Sequence, residues 1–332
     1  MLKLSRKGLI LGFFLAVIGI GYLFLAYARP LFSSSNYADY DPSGNLIITN
    51  SSTSNQLSTL RIWDSDNHMQ IAQLQNMSTP NQFLFSSNSE FLIRFVPNHD
   101  SLLYVYSTQN WEITQTRGYP RPICEVAISQ DVIFIMVCSH ERNVVYVTNI
   151  NENTDELLGT PITEFDTISG SGQPTFTVNN SGTKLLIAVN SANETSIELR
   201  DIPTYQVIQT FYLQSEILDA AWLGDNYFVI ADITNTVVLY ESNTFEQIAS
   251  FNIPFIVSSV DISSDENLLL VGGDGGTILY DLVDMQQLAV LNSTPAVSVR
   301  FDAQVTTALI ASSEILRPYI EIDISEFSLN RE

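Results

Sequence analysis

A polar residue ends an apolar run seven times along this chain, at a nearly constant interval. Successive members of the series lie 43, 41, 53, 40, 40 and 42 residues apart. In chain order they are Asp64, Ser107, Thr148, Asp201, Glu241, Asp281 and Asp323. A period near 40 residues with strand-length apolar runs is typical of a radial repeat, in which each unit buries its faces only against its neighbours. The spacing therefore predicts seven copies of one β-sheet unit.

The sixth unit shows what one repeat contains. Strand-like segments at 257–263, 268–271, 277–281 and 286–291 are separated by three turns, the second of which is the glycine-rich run 272–276. Alternating or continuous apolar segments of this length predict strands, and glycine supplies the positive φ that tight hairpins need. Each unit is therefore predicted to be a four-stranded blade, and the fold class to be an all-β, seven-bladed β-propeller.

Other positions recur in register with the series. Seven residues after four of its members stand apolar residues, all within the predicted fourth strand: Ile71, Ile208, Ile248 and Leu288. The 53-residue interval contains an insertion at 151–173, whose Asn, Thr, Ser and Gly content predicts a loop that extends beyond the blade. Because two different positions recur with the same spacing, the pattern favours one repeated structural unit over a chance distribution of apolar residues.

Two short motifs resemble known propeller families. The tripeptide Ile62-Trp63-Asp64 resembles the signature of the WD-repeat family of β-propellers, and the likeness covers roughly residues 37 to 327. The tetrapeptide at 146–149 reads YVTN, which is similar to the signature of a family of propellers found on microbial cell surfaces. The Gly-His dipeptide of WD repeats occurs in none of the units. The resemblance implies a rigid ring whose turns between second and third strands lie on a face that commonly binds ligands.

Closing such a ring requires a partner for the last sheet, because an open edge strand exposes unpaired backbone groups. The seventh unit supplies strands at 297–301, 307–311 and 319–324, after which eight residues remain. Two segments compete for its fourth strand, namely 327–330 at the C-terminus and 30–36 on the N-terminal side. The resemblance to WD-repeat propellers implies the second arrangement.

The N-terminal segment from Gly8 to Ala28 has 21 residues and no charge. At about 1.5 Å per residue, a helix of this length spans the roughly 30 Å hydrocarbon layer of a bilayer. Three cations precede the segment and one follows it: Lys3, Arg6, Lys7 and Arg29. Cations ahead of the span favour a cytoplasmic N-terminus. We therefore predict a leader with a transmembrane signal-anchor at 1–29 and an extracytoplasmic propeller, held at the membrane, at 30–332.

A cleaved signal peptide is the alternative. The residues Ala26, Tyr27 and Ala28 fit the small-residue pattern that precedes signal cleavage, and cleavage after Ala28 would release a secreted propeller. A cytoplasmic propeller is the third possibility. Sequencing the N-terminus of the mature protein separates them, because a start at Arg29 is incompatible with the anchor.

The charge balance excludes one class of partner. The chain has 36 acidic and 14 basic residues, and from residue 30 onward only 10 of the basic ones remain, which gives that region a net charge of −26. Lys184 is the only lysine outside the leader. Such a field repels nucleic acid and anionic headgroups and attracts basic partners. We therefore predict that the protein binds no nucleic acid.

Two cysteines, Cys124 and Cys138, lie in the predicted first and second strands of the third unit. Their positions are symmetric about residue 131, so an odd-length hairpin turn there would place them opposite each other. Cross-strand neighbours lie about 4.5 to 5.5 Å apart, close to the separation of bonded cysteines. The pair is a disulfide candidate in an oxidising compartment, and two buried thiols are the alternative.

Histidines are the remaining candidates for chemistry. His99 and His140 occupy matching turns between second and third strands of neighbouring units, followed by Asp100 and Glu141. Two imidazoles and two carboxylates could ligate a metal ion, although the spacing is not diagnostic. His68 lies in a turn between third and fourth strands, on the opposite face. The weak metal candidates are therefore His99, Asp100, His140 and Glu141. The sequence predicts no catalytic residue and no cofactor.

The functional prediction follows from the fold and the leader. A membrane-anchored, extracytoplasmic, non-enzymatic scaffold for a protein or ligand is the leading hypothesis, with a protein of unknown identity as the partner. Its predicted binding surface is the face with the turns near His99, His140 and 190–195. The alternative is an extracytoplasmic propeller enzyme, a metal- or cofactor-dependent hydrolase, lyase or oxidoreductase that works in the central channel.

Overall fold

Seven antiparallel sheets form a ring in the structure, which is a computed structural model. The residues that it describes are 37–52, 57–78, 82–130, 132–138, 142–150, 160–166, 175–190, 194–202, 204, 206–312 and 319–328. Each sheet is one blade, and the strands pair in chain order from the centre of the ring outward.

The strands of blades 1 to 3 are β1 Tyr37–Tyr40, β2 Leu46–Ser52, β3 Leu57–Asp64, β4 Gln70–Ser78, β5 Gln82–Phe85, β6 Phe91–Phe95, β7 Leu102–Ser107, β8 Ile113–Gly118, β9 Ile123–Ser129, β10 Val132–Val137, β11 Arg142–Asn149 and β12 Thr160–Asp166. Those of blades 4 and 5 are β13 Thr175–Val178, β14 Lys184–Asn190, β15 Thr195–Asp201, β16 Val207–Leu213, β17 Ile217–Leu223, β18 Tyr227–Asp232, β19 Thr236–Glu241 and β20 Gln247–Asn252. Those of blades 6 and 7 are β21 Val257–Ile262, β22 Leu268–Gly273, β23 Gly276–Asp281, β24 Gln286–Asn292, β25 Ser298–Phe301, β26 Thr307–Ala311 and β27 Ile320–Asp323, followed by the single helical turn α1 Ser325–Ser328. The predicted seven-bladed propeller of four-stranded blades is thus confirmed, and within the described residues blade 7 has three strands.

Seven clusters of buried apolar side chains hold the ring together, one between each pair of neighbouring blades. Strand β22 shows how one strand serves two clusters. Leu268 and Leu270 pack towards blade 7, while Leu269 and Val271 pack towards blade 5. Because side chains alternate along a strand, a sheet buried on both faces requires a continuous apolar run. This is why the inner segments of the sequence read as unbroken apolar runs.

The turns between first and second strands share one device in five blades. A side chain that follows the first strand accepts a hydrogen bond from the backbone N–H five residues later, where the second strand begins. The accepting residues are Asp41, Ser86, Asn179, Ser263 and Asp302. Short polar side chains favour turns because they can satisfy nearby backbone groups in this way.

The polar series of the sequence serves the next turn. Six of its members end the third strand of their blade, and Thr148 is one residue short of that end. Asp64 accepts hydrogen bonds from the backbone N–H groups of residues 66 and 67, and Asp281 does so from those of residues 283 and 284. The side chains thus close the turn into the outermost strand.

The second recurring position is a β-bulge. Ile71, Ile208, Ile248 and Leu288 are each skipped in the pairing of the third and fourth strands, so that two residues oppose one. Their predicted location in the fourth strand is correct. A bulge increases local twist and makes an edge strand a poorer template for another chain. The repeat therefore includes a device that protects the rim of the disc.

Contacts between blades 1 and 7 close the ring. Ser298 Oγ donates to the carbonyl of Ala38 at 2.9 Å, and the Tyr40 hydroxyl donates to Glu321 Oε1 at 2.6 Å. The predicted C-terminal strand at 327–330 is wrong where it is described, because Phe327 lies in α1 and packs against the cluster between blades 6 and 7. The competing segment, 30–36, lies outside the described residues.

Two details of the predicted strands are wrong, one in the 53-residue interval and one in the glycine-rich run 272–276. Residues 160–166 of the predicted insertion loop form β12, the fourth strand of blade 3, because they pair with β11. The turn predicted at 272–276 is shorter, since Gly272 and Gly273 end β22 and Gly276 begins β23. A strand without apolar alternation and a strand that contains glycine both escape a periodicity argument.

No helix within the described part of the chain is long and apolar enough to cross a membrane. The predicted anchor, Gly8 to Ala28, lies outside the described residues.

Candidate binding site in the channel and on the front face

The two faces of the ring carry different connections. We call the front face the one with the turns between second and third strands and the connections between blades, and the back face the other. A cavity of about 620 Å³ opens towards the front face, lined by side chains of the first strand of every blade. A second cavity, of about 540 Å³, lies towards the back face. Arg300 lines both, so it stands at the middle of the channel.

Arg300 joins three blades. From β25 in blade 7, its Nη1 donates to Ser259 Oγ in blade 6 at 3.2 Å, and its Nε lies 3.6 Å from Asp39 Oδ1 in blade 1. Tyr37 donates from its hydroxyl to the other oxygen of Asp39 at 2.7 Å. Burial lowers the pKa of Arg300, but the charges of Asp39 and other nearby groups raise it by more. The guanidinium is therefore a fixed cation between carboxylates.

Two further carboxylates connect successive blades. Asp219 of blade 5 accepts from the backbone N–H of Val260 in blade 6 at 2.8 Å, and Asp261 of blade 6 accepts from that of Phe301 in blade 7 at 2.8 Å. Burial raises the pKa of Asp219, and it raises that of Asp261 to about 6. Charged contacts thus bind blades 5, 6, 7 and 1 around one side of the channel.

Glu125 faces the same channel from β9 in blade 3. Its carboxylate accepts one long hydrogen bond, from the N–H of Val126 at 3.3 Å. Burial raises the pKa of Glu125 to about 8, the Val126 N–H lowers it, and the charge of Asp219 adds to the rise. The pKa of this channel carboxyl group is therefore shifted towards neutral pH, and its protonated form can donate as well as accept a hydrogen bond.

Stability should fall as the pH rises towards 8, because of Glu125. A folded-state pKa above the unfolded value means that the folded protein holds its proton more tightly, so the stabilisation is complete below about pH 4.5 and is lost as pH rises through the folded pKa. We expect Glu125→Gln to raise the free energy of unfolding at pH 8 by about 2 kcal/mol, allowing for water in the channel, and to flatten its decline from pH 5. Thermal melts across this range measure it. Glu246→Gln, at an exposed turn of the back face, is the control, and an unchanged slope in Glu125→Gln would contradict the assignment.

Apolar side chains are exposed on the front face beside the channel. Ile233 in the β18–β19 turn is 52% exposed, Ile256 in the connection from blade 5 to blade 6 is 54% exposed, and Val297 in the next connection is 38% exposed. Val297 also lines the front cavity. Exposed apolar side chains on three neighbouring connections of one face favour the binding of another molecule.

Of the predicted metal candidates, His99 and Asp100 line neither the front cavity nor the back cavity. His99 and Asp100 lie in the turn between β6 and β7 as predicted, with His99 exposed and Asp100 accepting from the N–H of Leu102 at 3.1 Å. His140 and Glu141 lie outside the described residues. Across the described ranges no three His, Cys, Asp or Glu side chains group closely enough to hold a metal ion. The proposed site at these turns stays a prediction.

The predicted surface at 190–195 has a structural role at its ends. Asn190 donates to the carbonyl of Ile217 and accepts from its N–H, both at 2.9 Å, and Thr195 donates to the carbonyl of Ser215 at 2.7 Å. Both side chains are buried. They tie blade 4 to the start of blade 5.

On the back face His68 Nδ1 lies 3.2 Å from Glu321 Oε2, so it contributes to ring closure.

Cys124 and Cys138 form a disulfide in the structure, with 5.8 Å between their Cα atoms. The expected symmetric pairing is wrong in detail. Ser129 pairs with Val132, and a bulge at Cys124 then lets Val137 pair with Ile123. The bulge, and not an odd-length turn, brings Cys124 near Cys138, which follows directly after β10.

Reduction of this disulfide should destabilise the fold by about 2 to 3 kcal/mol, because the bond closes a segment of 14 residues and restricts the unfolded chain. A thermal melt with and without reductant measures the effect. The double variant Cys124→Ser with Cys138→Ser is the control and should be insensitive to reductant. Two free thiols in protein from its native compartment, seen by non-reducing mass spectrometry, would contradict the bond.

Sequence reasoning missed the channel charges. Asp39, Asp219, Asp261 and Arg300 are the charged positions of first strands that are otherwise uncharged and largely apolar. The signal was present, because a charge that interrupts an inner strand must face either the channel or a buried interface. Locating the first strand of each unit was not sufficient, since the direction of each side chain depends on strand register.

Comparisons with known proteins define the fold alone. No protein-family model and no curated protein sequence matches the chain. A chain of the mitotic checkpoint complex matches with a TM-score of 0.69 and 12% identity, covering 89% of this chain and 90% of that one. The β-propeller domain of Cps50 (Swd1) from Myceliophteria thermophila matches with a TM-score of 0.69 and 9% identity, covering 87% and 95%. Hydrazine synthase from Kuenenia stuttgartiensis matches with a TM-score of 0.69 and 10% identity, covering 89% and 96%. The chain therefore shares the β-propeller fold with these structures.

Proposed function

We propose that this chain is a membrane-anchored recognition scaffold that presents its front face to a protein partner on the extracytoplasmic side. The observation that carries the proposal is the exposed apolar surface of Ile233, Ile256 and Val297 on the front face, where Val297 also lines the channel cavity. These side chains stand on connections fixed by a ring whose blades interlock through seven apolar clusters. A rigid surface binds with less loss of conformational entropy than a mobile one.

The fold relatives support a role in assembly. One similar chain belongs to a mitotic checkpoint complex, and another is the propeller domain of Cps50 (Swd1). Propellers commonly act as platforms for protein interaction, and function on such a fold resides in particular surfaces.

The leader and the cysteines support the location. The uncharged segment from Gly8 to Ala28 has the length of a membrane span, with three cations ahead of it. A disulfide between Cys124 and Cys138 suits an oxidising compartment. Edman sequencing of the mature protein tests the anchor, and a start at Arg29 would remove it.

Photo-crosslinking in the native membrane tests the scaffold. Amine-reactive reagents are poorly suited, because Lys184 is the only lysine beyond the leader and lies at a back-face turn. A photoreactive residue at position 256 should yield one reproducible protein adduct, whereas the same residue at position 246, on the back face, should not. Absence of an adduct from position 256 at native expression level would contradict the scaffold, and so would an equally strong adduct from position 246.

The second candidate is an enzyme that works in the channel. Glu125 and Asp219 both have raised pKa values and line the front cavity, which is an arrangement that can supply a general acid. One similar structure is hydrazine synthase. Elemental analysis and hydrolase screens of the purified propeller, compared with Glu125→Gln, separate the two functions: activity lost in the variant favours the enzyme.

A further inference from the structure

We propose that a surface over blades 5 to 7 recognises a partner segment in which apolar side chains are flanked by lysine or arginine. The proposal rests on the proposed function and adds the chemistry of the partner. We call this surface the blade 5–7 patch and define it by Ile233, Phe255, Ile256 and Val297, with Glu216 and Asp274 at its margin.

The patch is continuous across four connections. The N–H of Ile253 donates to the carbonyl of Asn235 at 2.8 Å, which joins the blade 5–6 connection to the turn that carries Ile233. Ile256 then exchanges two hydrogen bonds with Asp274, donating to its Oδ1 at 2.9 Å and accepting from its N–H at 3.1 Å. The N–H of Ala296 donates to Gly273 at 2.8 Å, which brings in the connection with Val297.

Glycine makes the patch rigid. A Cβ at Gly275 would lie 2.6 Å from Phe255 Cδ1, and one at Gly273 would lie 2.1 Å from the carbonyl oxygen of Ile256. Phe255 therefore lies directly against the β22–β23 turn, in space that only glycine leaves open. The glycine-rich run that the sequence marks as a plain hairpin turn thus also seats the connection that carries Ile256. A surface fixed in this way is organised before it binds.

The charge at the margin selects the partner. Glu216 and Asp274 are exposed beside the apolar residues, and Asp219 lies in the channel below them. Among the described residues of these four connections, and of the blade 4–5 connection that carries Glu216, there is no lysine or arginine. Arg300, which lines the channel, is already engaged by Asp39 and Ser259. An apolar surface with an acidic margin, on a chain of net charge −22, is complementary to apolar side chains with cationic neighbours.

The same charge argues against two other occupants. A second copy of this chain would bring an equally acidic surface into contact, which costs free energy through repulsion. An anionic membrane surface would be repelled for the same reason. A basic, apolar peptide segment is the occupant that both the apolar area and the charge favour.

A peptide library tests the chemistry directly. We would select random 12-residue phage-displayed peptides on the immobilised full-length chain, with its leader retained. The affinity of the selected peptides would then be measured by fluorescence anisotropy. The proposal expects enrichment of apolar residues beside Lys or Arg. Ile256→Ser should weaken binding at least about tenfold, as for a central contact residue. Ile208→Ser is the matched control, because Ile208 is 46% exposed on the outer strand of blade 4, far from the patch.

Two variants that each remove one negative charge test the acidic margin of the blade 5–7 patch. Glu216→Gln should weaken binding about threefold at low salt and less at high salt, because exposed charges are screened. Glu246→Gln, on the back face, should leave binding unchanged. Ile233→Ser serves as a second apolar variant if Ile256→Ser melts at a lower temperature than the parent.

Three outcomes would overturn the proposal: no enriched peptide, enrichment of acidic peptides, or binding that Ile208→Ser reduces as much as Ile256→Ser. These outcomes are separable from failure of the scaffold. If the crosslink at position 256 persists while the library fails, the chain is a scaffold whose front face recognises another chemistry. If both fail, the scaffold itself is wrong.

Discussion

Replacing Arg300 by methionine is expected to lower the free energy of unfolding by about 3 kcal/mol. Removing one partner of a buried ion pair typically costs about 3 to 5 kcal/mol, because the remaining charge is left without compensation. The loss here lies at the lower end of that range, because 28% of the Arg300 side chain and 18% of the Asp39 side chain are exposed. Here Asp39 loses the guanidinium that lies 3.6 Å from its carboxylate, and Asp261 loses a charge that lowers its pKa. Ser259 also loses the guanidinium donor that joins blade 6 to blade 7. Methionine keeps much of the volume, so the loss of charge dominates.

The effect of Arg300→Met should depend on its neighbours. Arg300→Lys keeps the charge but loses the planar donors, and we expect about half the loss. Adding Asp39→Asn to Arg300→Met should restore part of the stability, because the uncompensated carboxylate is then absent. Urea titrations of the three variants at pH 7 measure these differences. A loss under about 1 kcal/mol in Arg300→Met would show that channel water already compensates the carboxylates.

Replacing Gly276 by valine should destabilise the fold by a comparable amount, about 4 kcal/mol. Gly276 begins β23 at a φ of +124°, a conformation that L-residues rarely adopt and β-branched residues avoid most. A Cβ there would lie 2.1 Å from the carbonyl oxygen of Asn292 in the neighbouring strand. Backbone strain and overpacking each contribute about 1 to 3 kcal/mol.

A matched glycine separates strain from crowding. Gly44, in the β1–β2 turn, has a φ of +75° and would place a Cβ 3.2 Å from a flexible atom of Gln304. Asparagine tolerates this φ, so Gly44→Asn should cost under about 1 kcal/mol. Chemical denaturation of both variants measures the contrast. If Gly276→Val were as mild as Gly44→Asn, the close approach of β23 to β24 would be wrong.

The repeat was predictable because polar residues that end apolar runs recur at a nearly constant interval along the chain. Six of the seven series residues end third strands, and the predicted strands of the sixth unit lie within two residues of those observed. Burial on both faces of a blade forces apolar runs, and turns require polar or glycine residues. Both requirements act locally, so a single sequence reveals them.

The pairing details were not predictable for a physical reason. The bulges at Cys124 and Ile208 shift the register by one residue, which turns every later side chain to the other face. The strand β12 could not be recognised from its composition, because its partner β11 determines it. The closure of blade 7 against blade 1 joins positions more than 250 residues apart, as between Ser298 and Ala38.

The candidate site depends even more on tertiary structure. The patch residues Ile233, Ile256 and Val297 come from three connections, each of which reads as an ordinary turn with one apolar residue. Their exposure was not visible in the sequence, because an apolar residue near a strand end is equally suited to the core. Only the position of neighbouring connections on one face brings them together.

The number of blades, the strand order within each blade and the acidic charge balance follow from the sequence alone. Periodicity and charge balance are properties of the chain that need no knowledge of distant contacts. The tertiary structure alone decided where charges converge in the channel and where apolar residues meet on the front face. Seven separate segments line the channel and four line the patch, and side chains so far apart in sequence become neighbours only when the ring closes.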